Sequence, residues 1–205
     1  MNVAALILFA VWFVVIFVVR SWVQKRQTGD SGIRPGAFAP DASMTERVAY
    51  VLLIVAFVGA VGAPIAALAG MDLLWDGNLL RWIGAVVVTV GIGLTYGAQV
   101  GMGSEWRIGI DRTEVTGLVT TGVFGLVRNP IFTAMIVTSF GFAAMVPNLI
   151  AVVAVVCLVA AIELQVRFVE EPHLRELHGA DFERYAGEVG RFVPLIGRGT
   201  TGSTR

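Results

Sequence analysis

Long apolar stretches alternate with short polar segments along this chain. Each stretch is close to the roughly 20 residues that a helix needs to cross about 30 Å of hydrocarbon. The pattern predicts five membrane-spanning helices, at residues 3–19, 48–70, 79–102, 131–146 and 149–168. The predicted fold class is therefore an all-α membrane protein.

Local signals refine these elements. The first stretch has no positively charged flank before it and no small-residue cleavage site after it, so it is interpreted as a retained span. The third is rich in glycine, which favours close helix packing. Only Pro147 and Asn148 separate the last two spans, which predicts a tight helical hairpin over residues 131–168. Residues 20–47 are interpreted as an irregular loop.

The tail after the last span has a different pattern. Leu174, Leu177, Phe182 and Tyr185 recur near helical spacing among charged residues. This pattern predicts an amphipathic helix over about residues 172–188, lying on the membrane face or folded back onto the bundle.

Composition supports a membrane protein and excludes other classes. The chain is 56% hydrophobic and 15% charged, with a mean hydropathy of +0.78, whereas soluble domains are roughly 25% charged. The formal net charge is zero, so no overall field favours nucleic acid. The single cysteine, Cys157, lies in an apolar stretch and excludes an internal disulfide or a multi-thiolate metal site. No metal ligand set is predicted.

The charges are distributed unevenly between the predicted loops. Residues 20–47, residues 103–130 and the tail from Arg167 contain 14 of the 15 lysines and arginines, and the opposite side has only Arg81. The positive-inside rule therefore predicts that the amino terminus lies outside and the carboxyl terminus in the cytoplasm, and the predicted location is a plasma (inner) membrane. Only five spans preserve this asymmetry.

Four ordered motifs stand on the predicted cytoplasmic side. They are Gly101-Met102-Gly103 after span three, the segment 118–124 leading into Arg128-Asn129-Pro130-Ile131-Phe132, the pair Glu170-Glu171, and the tail 178–194. Together they resemble the membrane methyltransferases that include isoprenylcysteine carboxyl methyltransferases and phospholipid N-methyltransferases. The resemblance covers about residues 101–194. It divides the chain into N-terminal spans at 1–100 and a methyltransferase-like region at 101–205.

The resemblance implies a cytoplasmic-facing pocket for S-adenosyl-L-methionine, built from the ends of spans three to five and the tail. Carried over position by position, it implies these cofactor-binding residues: Gly101, Gly103, Thr116, Gly117, Leu118, Val119, Phe124, Asn129, Pro130, Ile131, Phe132, Glu170, Glu171 and Tyr185. Asn129 and Phe132 stand where the relatives have histidine and tyrosine. Asparagine cannot titrate near neutral pH, so a base at that position is lost while a positional role survives.

Charge chemistry supports particular roles for some of these side chains. A carboxylate such as Glu170 can pair the ammonium of the methyl donor, and Arg128 can pair its carboxylate. Glu163 lies inside span five, where a carboxylate is costly, and Arg167 four residues later can pair with it or anchor a carboxylate acceptor. Arg167, Glu163 and Arg128 are the predicted catalytic residues.

Simpler interpretations remain open for several of these residues. Asn129 and Pro130 can be the N-cap and first residue of a helix. His173 and His178 are interpreted as surface residues of the tail, and Gln99 as helix contact or cavity lining.

The predicted acceptor is lipophilic and reaches the pocket from the bilayer, with membrane lipid as the expected surroundings. An isoprenylcysteine-like carboxylate is favoured, and a phospholipid amine or a small thiol is the alternative. Two other classes stay open: an NADPH-dependent reductase of the sterol type, and an inactive structural bundle.

Overall fold

Five apolar helices run between the two ends of the molecule in this computed structural model, which describes residues 1–112 and 114–199. Four are long and apolar enough to cross a membrane: α1 (Asn2–Thr28), α2 (Met44–Leu68), α3 (Asn78–Gly101) and α5 (Leu149–His178). The fifth, α4 (Pro130–Met145), is apolar but shorter. A last helix, α6 (Ala180–Glu188), is amphipathic. The described residues form no named strand, so the all-α membrane fold is confirmed.

The helices extend beyond the predicted spans at two places. Residues 20–28, predicted as loop, continue α1 through a π-helical turn at Val14–Val19 until Gly29 ends it at φ 80°. The last span continues through a second π-helical turn, Val166–Glu170, as far as His178. The predicted single tail helix is therefore wrong: Gly179, at φ 50°, separates the end of α5 from α6.

Close packing of α3 against α4 depends on glycine. A Cβ atom on Gly91 would lie 2.1 Å from the Thr138 Oγ1 atom, and one on Gly84 would lie 2.6 Å from the carbonyl oxygen of Gly141. The predicted close approach is confirmed for these two glycines. Gly93 and Gly97 have no neighbour within 4 Å of such an atom, so they do not serve this purpose.

One end of the bundle is closed by short polar contacts. Arg81 donates to the Asn2 side chain at 2.8 Å and to the carbonyl oxygen of Met145 at 3.0 Å. Asn148 accepts from the Ala151 amide at 3.0 Å, which caps α5, and donates to the carbonyl oxygen of Ala63 at 2.8 Å. The predicted hairpin is confirmed, and the N-terminus, the 69–77 connection and the hairpin turn share this end. The other end carries the long loops and the tail.

Candidate active site

A cavity of about 500 Å³ opens at the loop-bearing end of the bundle. Its walls come from α1, α2, the end of α3, the head of α4, the foot of α5 and the loops at 33–38 and 105–119. The volume lies within the range of roughly 300–1,000 Å³ that is typical of small-molecule sites. The sequence predicted a pocket built only from spans three to five and the tail. In the structure α1, α2 and the loop at 33–38 also form part of its wall.

Most of the predicted cofactor-binding residues line this cavity. Twelve of the fourteen do so: Thr116, Gly117, Leu118, Val119, Phe124, Asn129, Pro130, Ile131, Phe132, Glu170, Glu171 and Tyr185. Gly101 and Gly103 are not among the lining residues, although Met102 between them is. Gly103 instead adopts the left-handed conformation, φ 61°, that lets the chain turn after α3.

Glu170 presents its carboxylate to the cavity from the π-helical turn of α5. Pro172, two residues later, lacks an amide hydrogen, and its ring would crowd the preceding turn of a regular helix. The π-helical turn before it accommodates the proline. The turn also places Gln165 and Glu170, five residues apart, on one face, where the Gln165 Nε2 atom lies 3.4 Å from Glu170 Oε1. Within residues 1–112 and 114–199 no cation pairs with Glu170, so its carboxyl group is available to a ligand.

Glu171 has the opposite environment. It is 4% exposed, and its carboxylate accepts from Arg128 at 2.8 Å and from two nitrogens of Arg191 at 2.7 and 2.8 Å. Although Glu171 lines the cavity, both of its oxygens are already occupied by these arginines.

Arg128, predicted as catalytic, is a structural residue in this arrangement. Besides Glu171, its guanidinium donates to the carbonyl oxygens of Ala186 and Gly197 at 3.0 Å each, and to that of Val189. These bonds fasten the tail to the head of α4. The side chain therefore has little remaining capacity to bind the carboxylate of a methyl donor.

The other two predicted catalytic residues lie elsewhere. Arg167 and Glu163 form an ion pair with each other along α5, as the spacing predicted, and half of the Arg167 side chain is exposed. Neither is among the lining residues of the cavity. The structure thus does not bring Arg167 and Glu163 together with Arg128.

Asn129 occupies the N-cap position of α4 with Pro130 at the first helical position, but its side chain makes no capping bond. Its Nδ2 atom instead lies 3.3 Å from the carbonyl oxygen of Arg191, which also accepts from the Asn129 amide at 3.1 Å. Asn129 therefore occupies the N-cap position, as the simpler interpretation predicted, but its side chain does not cap the helix. Gly190 permits this contact, because a Cβ atom there would lie 2.1 Å from the carbonyl oxygen of Val193.

Tyr185 holds the wall of the cavity from α6. Its hydroxyl donates to the carbonyl oxygen of Phe124 at 2.7 Å. Burial raises the pKa of Tyr185 to about 12, so the hydroxyl stays protonated and remains a donor at neutral pH. Phe124 is thereby held in the turn Gly122–Gly125.

Half-buried ion pairs join the two loops that line the cavity. Arg34 and Arg107 both donate to Glu114, at 2.7 and 2.9 Å, and Arg34 also pairs with Asp30. These bonds lower the pKa of Glu114 to about 2. The carboxylate therefore stays ionised, and the contact between the loops persists, at any pH above that range.

Sequence reasoning missed several lining residues. His173, interpreted as a surface residue, is half-buried on the cavity wall, and Trp106 and Tyr50 line it as well. The spacing of Glu170 and His173, three residues apart on one helix, was a usable signal for His173. Gln99 both lines the cavity and contacts a helix, since it donates to the carbonyl oxygen of Ile16 at 3.2 Å. No group of three or more histidines, cysteines or acidic residues that could hold a metal ion occurs in the described residues.

The fold and the cavity at its loop-bearing end define a helical membrane protein with a pocket of small-molecule size at one end. The chain belongs to the phospholipid methyltransferase family, which matches residues 79–181. It is accordingly a membrane methyltransferase.

A curated relative is similar over most of the chain. The nickel-cobalt-cadmium resistance protein NccN of Alcaligenes xylosoxydans xylosoxydans is 28% identical over 169 residues, covering 80% of this chain and 74% of the relative.

Proposed function

We propose that this protein transfers a methyl group from S-adenosyl-L-methionine to a lipophilic acceptor that enters the cavity from the bilayer. The observation that carries the proposal is Glu170, a carboxylate on the cavity wall with no cation paired to it in the described part of the chain. Such a carboxylate is costly beside apolar walls unless a cationic ligand compensates it. The family to which the chain belongs supports the same chemistry.

The lining residues fit the methyl donor. Glu170 would hold its ammonium group, and the aromatic rings of Phe124 and Phe132 would pack against its adenine or shield its cationic centre. Backbone groups of residues 116–119 would bind its polar atoms. When bound, S-adenosylmethionine supplies an electrophilic methyl group on a sulfonium. The rigid walls would hold the acceptor atom in line with that methyl group, and positioning of this kind supplies much of the rate.

The nature of the acceptor follows from which charges in the cavity are free. The favoured isoprenylcysteine-like carboxylate depended on Arg167 as its anchor, and Arg167 does not line the cavity. The three arginines that do, Arg34, Arg107 and Arg128, are each paired with a carboxylate. These pairings favour the alternative, a phospholipid amine or a small thiol.

Such an acceptor must lose a proton before or during transfer. Of the three carboxylates near the foot of α5, Glu163 lies outside the lining of the cavity and Glu171 is bonded to two arginines. Glu170 and His173 remain as candidate bases. Of the two, the neutral imidazole of His173 is the better proton acceptor near neutral pH.

Binding of S-adenosylhomocysteine to purified protein in lipid nanodiscs tests the donor. We expect saturable binding by calorimetry, and no comparable binding of NADPH. Binding of NADPH alone would favour the sterol-type reductase, and binding of neither would favour a structural bundle.

A transfer assay with radiolabelled S-adenosylmethionine tests the acceptor. Phosphatidylethanolamine and hexadecanethiol represent the amine and the thiol, and N-acetyl-S-farnesylcysteine represents the carboxylate. Label incorporated only into the farnesylcysteine would contradict the preference for an amine or a thiol.

We also propose that the cavity faces the cytoplasm, on the basis of the uneven distribution of lysine and arginine. Arg81 lies at the closed end of the bundle with the N-terminus, and the cavity lies at the other end. Reporter fusions after residues 35, 76, 115 and 205 should read inside, outside, inside and inside. An outside signal after residue 115 would overturn the orientation.

A further inference from the structure

The first helix makes polar contacts with the segment that follows α3, although α1 lies outside the part of the chain that the family matches. The Arg20 Nη2 atom donates to the carbonyl oxygen of Gly103 at 2.6 Å, and the Gln24 Nε2 atom donates to that of Ser104 at 2.8 Å. Arg20 and Gln24 are four residues apart and so share a helix face. Two consecutive carbonyl groups of the turn Gly103–Glu105 are therefore held from α1.

Arg20 is an expensive residue at this position. It is 1% exposed inside a membrane-spanning helix, and its guanidinium lies 4.7 Å from the ring centroid of Trp106. Its Nε and Nη1 atoms have no partner among the described residues. Buried charge of this kind inside a membrane protein marks a functional position by default. Fixing Gly103 alone would not require a charged side chain, whereas stacking on Trp106 uses the cation.

The segment that Arg20 and Gln24 hold forms part of the cavity wall. Trp106 is 2% exposed and lines the cavity. Glu105, beside it, also lines the cavity and accepts from the Gly117 amide at 2.6 Å. Gly117 begins the wall segment 117–119 that the donor would meet. Contacts thus lead from α1 through residues 103–106 to the predicted donor-binding backbone.

Trp106 also packs closely against the loop after α1. A Cβ atom on Gly32 would lie 3.0 Å from the carbonyl oxygen and 3.1 Å from the ring of Trp106. The Ile108 amide donates to the carbonyl oxygen of Gly32 at 2.8 Å, which pins the loop after α1 to the same segment. Trp106 is therefore in contact with both the Arg20 guanidinium and the Gly32 backbone.

We infer that Arg20 is a positioning residue of the active site: together with Gln24 it holds residues 103–106 so that Trp106 and Glu105 complete the wall of the donor-binding cavity. The first helix is thus a working part of the enzyme and not only a membrane anchor. The inference rests on the proposed function where it concerns donor binding, and on the contacts alone where it concerns Trp106.

Substitutions on one helix separate this role from general helix stability. Arg20→Met keeps the length of the side chain and removes the charge and its donors, and Gln24→Met removes only the bond to Ser104. Arg20→Lys restores a cation and is the rescue variant. Arg26→Met is the matched control, because Arg26 stacks on Trp22 at 4.0 Å on the same helix and is exposed.

Two measurements on protein in lipid nanodiscs are needed. The first is the affinity for S-adenosylhomocysteine by calorimetry. The second is the emission of Trp106 and its quenching by acrylamide, obtained as the difference from a Trp106→Phe variant of the same background. Arg20→Met should lose about tenfold or more in affinity, as expected for a lost charged hydrogen bond. Its Trp106 emission should shift to the red and become easier to quench.

The remaining variants should show graded effects on the affinity and on the Trp106 emission. Gln24→Met should change both readings in the same direction by less, Arg20→Lys should recover most of both, and Arg26→Met should match the wild type. If Arg20→Met does not fold, the comparison of Gln24→Met with Arg26→Met decides the question in its place. Unchanged Trp106 emission in Arg20→Met and Gln24→Met would overturn the inference, whatever happened to the affinity. If the wild type binds no S-adenosylhomocysteine, the proposed function fails while the Trp106 readings still test whether α1 holds this segment.

Discussion

Two adjacent carboxylates at the foot of α5 lie in contrasting regions of the molecule. Glu170 faces the cavity, and its nearest polar contact is the Gln165 amide group at 3.4 Å. Glu171 accepts bonds from Arg128 and Arg191, which in turn bind the tail. One residue of offset along the helix rotates a side chain by about 100°. That rotation is enough to separate a ligand-facing charge from a structural one.

The contrast shows how the site divides its work. The Glu171 region joins the head of α4, the foot of α5 and the tail into one rigid unit, and so fixes the shape of the cavity. The Glu170 region leaves a carboxyl group without a cationic partner in the described residues, so this group adds little to stability and is available to a ligand. Substitutions in the two regions should therefore affect different measurable quantities.

The largest expected effect is on stability, from Glu171→Gln. It leaves Arg128 buried with no counter-charge, which typically costs about 3–5 kcal/mol. Thermal unfolding in nanodiscs should show a clearly lowered midpoint. Glu176→Gln, on the same helix but exposed, is the control and should match the wild type. A wild-type midpoint for Glu171→Gln would show that the two arginines do not depend on this carboxylate.

The next effect is on binding, from Glu170→Gln. If Glu170 holds the ammonium group of the donor, affinity for S-adenosylhomocysteine should fall by about 1.5–3 kcal/mol. The unfolding midpoint should not fall, because no cation in the described residues loses a partner. Glu176→Gln again provides the control. Equal affinity of wild type and Glu170→Gln in calorimetry would remove Glu170 from the donor site.

The sequence separated Glu170 from Glu171 only in part. Both members of the motif were assigned to the donor, and charge chemistry favoured Glu170 as the partner of its ammonium group. Which of them faces the cavity depends on the π-helical turn before Pro172, and a regular helical wheel does not include that turn. The partners of Glu171 are 43 residues before it and 20 residues after it, so no local pattern shows them.

Other features were predictable to the extent that they are local. The apolar stretches located all five apolar helices, because each helix is a long segment with few charged residues. The role of α1 was missed for the opposite reason. Residues 20–28 are polar and were interpreted as loop, but Arg20 and Gln24 are buried against the segment after α3. A polar face buried against another polar segment gives no apolar signal in the sequence.

The smallest expected effect comes from Asn129, which lines the cavity but bonds to the Glu171 side of it. Within the described part of the chain its side chain donates one long bond, 3.3 Å to the carbonyl oxygen of Arg191, whose guanidinium binds Glu171. Asn129→Ala should therefore destabilise the protein by about 0.5–1.5 kcal/mol, the net worth of one ordinary hydrogen bond.

Since asparagine does not titrate, the affinity of Asn129→Ala for S-adenosylhomocysteine should follow the same pH dependence as the wild type between about pH 6 and 8. Asn129→His introduces a titrating group at the same position, and it should keep wild-type affinity if the position serves only to join α4 to the tail. A marked gain of methyl transfer in Asn129→His, with a new titration near pH 6.5, would contradict this. It would show that residue 129 takes part in the reaction and that it belongs to the ligand-facing region of Glu170, not to the structural region of Glu171.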